Sequence, residues 1–78
     1  MRHTKYIVTF QDGNTHTVSA YYMAAAVILA QAKRIEANKS ILVKEVEEFV
    51  TQIETRTFIP KHGNKAYEMK EVHHVDTV

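Results

Sequence analysis

Apolar and polar residues alternate where the chain begins. Tyr6, Val8 and Phe10 take every second position of a β-branched and aromatic run, which suits a half-buried strand. Asp12-Gly13-Asn14 follows, and these residues tolerate positive φ, so a hairpin turn is expected. Thr15 to Ala20 then returns as a second strand. A two-residue Asp12-Gly13 loop sets Val18 opposite Ile7 and Thr15 opposite Phe10. A loop through Asn14 sets Val8 against Val18 and Phe10 against His16. The longer loop is preferred, because it gathers Tyr6, Val8, Phe10 and Val18 on one apolar face.

From Ser19 to Ser40 the pattern turns helical. Ala, Leu, Met, Gln, Lys and Arg dominate this stretch, and all are strong helix formers. Ser19 is expected to cap its start and Asn38 to mark its stop, with Lys33 and Arg34 towards the negative end of the helix dipole. Winding at 3.6 residues per turn stacks Tyr21, Ala25, Ile28, Leu29, Ala32 and Ile35 on one face, expected to lie across the hairpin. The opposite side carries Met23, Val27 and Ala30 before Arg34 turns it polar. The first half of the helix is therefore apolar nearly all round, and one sheet face does not suffice to cover it.

Ile41 to Phe49 supports two elements. Val43, Val46, Val50 and Ile53 have the spacing of a helix face, which gives a second helix over 41–53 capped by Ser40. The opening Ile41-Leu42-Val43 run favours instead a strand from Ile41 to about Glu48, and this is preferred. Thr55 to Ile59 reads as a further strand ended by Pro60. Gly63-Asn64 makes a turn, and Ala66 to Val75 supplies a returning strand. The expected fold is α+β: a β-hairpin, one central helix packed on an antiparallel sheet, then a further strand and a C-terminal hairpin. At 78 residues, 1–78 form a single small domain.

Composition narrows the chemistry. Ten basic and nine acidic residues leave a formal charge of +1, against both a strongly basic nucleic-acid protein and an acidic mimic of DNA. The sequence has no cysteine, which removes disulfides and thiolate ligands and fits a reducing cytoplasm. The longest apolar run, Ala24 to Ala30, is far too short to span a membrane, and MRHTKY lacks the apolar core of a signal peptide. A cytoplasmic protein without a membrane partner is expected.

No catalytic constellation emerges, so no enzyme is expected and no cofactor. Ser19 and Ser40 both sit where caps belong, and Gly13 and Gly63 are too isolated for a phosphate loop. Glu45 and Glu47 share a strand face, read as solvated rather than as a cation site. His73 and His74 are adjacent and point to opposite faces, while His74 and Asp76 share one. No histidine spacing resembles a closed metal site, and no metal is expected.

The stretch YIVTFQDGNTHTVSAYYMAAAVILAQAKRIEAN resembles small phage-encoded proteins of ββαβ type. In these a strand, an Asp-Gly turn, a short strand ending in Val-x-Ala and an alanine-rich helix follow one another. The resemblance covers the first half of the chain and implies a non-enzymatic binder that inhibits or redirects a host protein, located in the host cytoplasm. It transfers no functional residue.

Two functions from different classes follow. In the first, Tyr22, Met23, Val27, Ala30 and Arg34 form the surface of a protein-binding module that docks on a protein partner, such as a host protein, or forms a homodimer. In the second, Lys33, Arg34, Lys39 and Lys44 form a basic cluster for nucleic acid, with Glu36, Glu45, Glu47 and Glu48 interleaved. A bland account of the apolar helix face stands beside both: the C-terminal hairpin wraps round and covers it.

Overall fold

The computed structural model describes residues 3–64 and 68–76. Its elements are β1 (Thr4–Phe10), β2 (Thr15–Ala20), α1 (Met23–Glu36), β3 (Val43–Phe49), β4 (Glu54–Pro60) and β5 (Met69–Val75). The strands form one antiparallel sheet in the order β2-β1-β3-β4-β5. This is the expected α+β class with one helix packed on the sheet. Residues 41–53 form no second helix. Residues 66 and 67 of the expected last strand lie outside the described residues.

The first hairpin puts Tyr6, Val8, Phe10, Val18 and Ala20 on the buried face, as the alternation predicts. Its register differs from the expected one by two residues: Tyr6 faces Val18 and Val8 faces His16. The turn explains the shift. Gly13 donates to the Phe10 carbonyl at 2.9 Å and Phe10 donates to the Asn14 carbonyl at 2.9 Å, so the loop is Gln11-Asp12-Gly13. Gly13 takes φ +90°, the left-handed position that closes a three-residue hairpin loop. Asp12 accepts from the Asn14 backbone N–H at 3.0 Å, fixing the turn locally.

Ser19 does not cap the helix. It belongs to β2, because Val18 and Ala20 on either side are drawn into the core and keep the strand extended. The helix starts at Met23, after Tyr22 in an extended conformation with no side-chain cap bond. Asn38 does stop it. At φ 54° it lets Asn38 donate to the Ile35 carbonyl and Lys39 to the Arg34 carbonyl, satisfying two orphan carbonyls of the last turn.

Strand β3 accounts for the ambiguous spacing of Val43 and Val46. Thr9 pairs with Glu45 but Phe10 pairs with Val43, so Lys44 is an extra, bulged residue. The bulge turns Val43 back to the face that Val46 occupies, and both are fully buried. A three-residue interval that reads as helical is here a strand with a bulge. The core then comprises Tyr6, Val8, Phe10, Val18, Ala20, Val43 and Val46 of the sheet under Ala26, Val27 and Ala30 of the helix. Phe58 and Met69 pack at its margin. Helix α1 contacts chiefly β2 and β1.

Candidate functional site

The helix meets the sheet with the Met23, Val27 and Ala30 face, the one for which a partner surface and coverage by the C-terminal hairpin are the two expectations. Met23 is half-buried, and Ala26, Val27, Ala30 and Arg34 are buried. Val27, Ala30 and Arg34 are therefore core residues, not a partner surface, and only Tyr22 of the five candidates is exposed. Strands β1 and β2 chiefly cover them, with Phe58 and Met69 of the C-terminal hairpin at the margin of the same core. The physical reason lies in side-chain size: Ala26 and Ala30, four apart, let the helix backbone come close to the sheet, and Val27 fills the remaining space.

Arg34 completes that inward face. It is 1% exposed, and its guanidinium lies 4.7 Å from the centre of the Phe10 ring. Its Nε donates to the Ser40 carbonyl at 2.8 Å, and its Nη2 bonds the Asp12 carboxylate. The guanidinium thus ties the first hairpin turn, the helix and the loop after it at one point. Its Nη1 is buried without a hydrogen-bond partner. The hydrogen bond from Arg34, followed by that from the Asn14 amide, holds the Asp12 carboxyl below its usual range. Tyr6 shifts the other way: burial raises its phenol, with the Glu48 charge adding to the effect.

Turning Arg34 inward also takes one of the four members out of the basic cluster. Lys33, Lys39 and Lys44 are exposed, on the helix, the following loop and the β3 bulge. Without the guanidinium, the one side chain of the four suited to bidentate phosphate binding is gone.

The surface left open is the other helix stripe. Ile28, Leu29 and Ile35 are 65%, 49% and 61% exposed, with Ala32 exposed between them and Ala25 half-buried. The loop after the helix extends this surface. Gln31 Nε2 donates to the Ile41 carbonyl at 3.0 Å, which holds Ile41 beside the helix, and exposed Leu42 follows. Tyr21, expected on the same stripe, lies before the helix, with its ring 4.4 Å from that of His3. Sequence reasoning found the stripe but assigned it to the core. The usable signal was the small pair Ala26 and Ala30 in line with Arg34, a donor that needs acceptors.

A concavity lies on the sheet face away from the helix. A cleft of about 600 Å³ is lined by Glu45, Glu47, Phe49, Thr55, Thr57, Ile59, Val72, His74 and Asp76. Glu45 and Glu47 share this face as expected, and so do His74 and Asp76. His73 points to the opposite face, where it bonds Glu54. Among the described residues, no three of His, Asp and Glu converge in a way that could hold a metal ion. No helix among them is long and apolar enough to cross a membrane. Set against known protein families, curated proteins and solved structures, the chain matches none.

Proposed function

We propose that the protein is a non-enzymatic protein-binding module whose docking surface is the outer face of α1. The observation that carries this reading is the exposure of Ile28, Leu29 and Ile35 on one stripe, continued by Ile41 and Leu42. Scattered surface hydrophobes are ordinary, but five exposed bulky aliphatic residues concentrated on one helix face and its bordering loop are what an interaction site presents. The helix beneath is held rigidly by its buried face and by Arg34, so the patch is presented pre-formed and loses little entropy on docking. The resemblance of the first half to phage-encoded ββαβ proteins agrees with a host protein as one such partner, and with a cytoplasmic site of action.

The test compares wild type with an Ile28→Glu, Ile35→Glu variant in affinity capture, a second copy of the chain counting as a partner. The reading expects a discrete protein partner with the wild type, lost in the variant, while the two proteins melt at similar temperatures. Identical capture by both, or nucleic acid as the only retained species, would overturn it.

A further inference from the structure

We infer that the occupant of this outer helix face is a second copy of the same chain, docked as an antiparallel helix pair. The inference rests on the protein-binding reading above and names its partner. Ala25, Ile28, Ala32 and Ile35 follow one another at intervals of three and four, the a and d positions of two successive heptads. Ile28, Ala32 and Ile35 are exposed on the outer side of α1 and Ala25 is half-buried at the margin of the core, while Ala26, Ala30 and Arg34 hold the opposite side in the core.

Large and small residues alternate along this seam, and that fixes the arrangement. With the two-fold axis at the level of Ala30, Ile28 meets Ala32 of the second copy and Ile35 meets Ala25 of the second copy. Every layer then holds one bulky and one small side chain, so the helices can approach closely without voids. The same patch serves both copies, as a two-fold interface requires. A parallel pair would instead stack Ile on Ile and Ala on Ala, and would bring like helix ends together.

Charge placement agrees. The first turn of α1 contains no acidic residue, although the positive end of the helix favours one. In the antiparallel register Glu36 of the second copy comes level with Ala24 and supplies that carboxylate. Gln31, the neutral residue bordering the seam near its centre, meets its own counterpart, so no like charges face each other there. The 14-residue helix gives a seam of about 21 Å. With Ile41 and Leu42 at its border, the contact covers on the order of several hundred Å² per copy, the low end for a specific interface.

The chain has no cysteine, so single-cysteine labels report cleanly. Sedimentation equilibrium of the full chain over a wide concentration range is expected to show a reversible monomer–dimer equilibrium. Ala32→Ile adds apolar surface yet overfills the small position, and is expected to weaken the dimer at least tenfold. Ile28→Gln, which overfills nothing, is expected to weaken it too. Both changes lie on exposed positions, and a thermal melt confirms that each variant is folded. Spin labels at Leu29→Cys and Glu36→Cys are expected to differ in axial offset from their counterparts, about 3 Å against about 18 Å. A protein monomeric at millimolar concentration, a tighter Ala32→Ile dimer, or equal label separations would each overturn self-pairing. If the protein is monomeric yet its capture of another protein is lost in Ile28→Glu, Ile35→Glu, self-pairing alone fails. If it is monomeric and capture is unaffected, the protein-binding reading fails with it.

Discussion

Arg34 brings a guanidinium into the interior, and its surroundings decide how much that contributes. Its long stem fills volume beside Phe10, while its charge is answered by one carboxylate, one carbonyl and an aromatic face, with Nη1 left unpaired. Packing is therefore expected to outweigh charge. Arg34→Ala should destabilise the fold by about 2–4 kcal/mol, and Arg34→Met, which keeps the stem, by less than half as much. Urea denaturation of both variants checks the order, and equal losses would assign the effect to the ion pair. Asp12 adds a pH dependence. Its folded pKa lies below the unfolded value near 3.8, so its pairing stabilises the protein fully above that value and fades as pH falls through the folded one. The melting temperature of Asp12→Asn should accordingly fall less steeply below pH 3.8 than that of the wild type. Little of this was legible in the sequence. Arg34 reads as an ordinary cation at a helix end, and only the meeting of Asp12, Ser40 and Phe10 around it shows otherwise. Asn38 and Gly13, whose roles depend on local backbone conformation, were readable directly.

At the scale of the element, α1 has two apolar stripes, and hydrophobic periodicity does not say which one turns inward. Shape decides: the Ala26, Val27, Ala30 side lies close on the sheet, and the bulkier Ile28, Ile35 side stays outside. Opposite outcomes follow for the same substitution on neighbouring residues. Val27→Glu places an unpaired carboxylate in the core and should cost several kcal/mol. Ile28→Glu places it in water and should change the stability of the monomer by no more than about 0.5 kcal/mol. Thermal melts at low protein concentration separate them, and comparable losses would mean that the helix is rolled about its axis. Strand β3 shows the same limit of periodicity, since the Lys44 bulge makes Val43 and Val46 look helical. The strand preference over a second helix holds, but the strand starts at Val43 rather than at the expected Ile41, because Ile41 and Leu42 belong to the loop after the helix.

On the scale of the molecule, the hairpins and the helix between them were legible because each depends on contacts close in sequence. The order of strands was not, since pairing β1 with β3 joins segments separated by the whole of β2 and α1. That connection has a kinetic consequence. Strands β2 and β3 both run antiparallel to β1, and the chain travels between them by way of the helix. Closing the long loop between β1 and β3 is entropically costly until the inward face of α1 is seated to offset it. The β4–β5 hairpin lies at the far side of the sheet from the strands that α1 chiefly contacts, and can join afterwards. Removing methyl groups from the two halves should thus alter different rates. Val27→Ala is expected to slow folding measurably, whereas Val72→Ala is expected to act mainly by hastening unfolding. Stopped-flow chevrons for the two variants would show this as a lowered folding limb in one and a raised unfolding limb in the other. If Val72→Ala slowed folding as much as Val27→Ala, the outer hairpin would belong to the nucleus, and the helix would be arriving on a sheet already built.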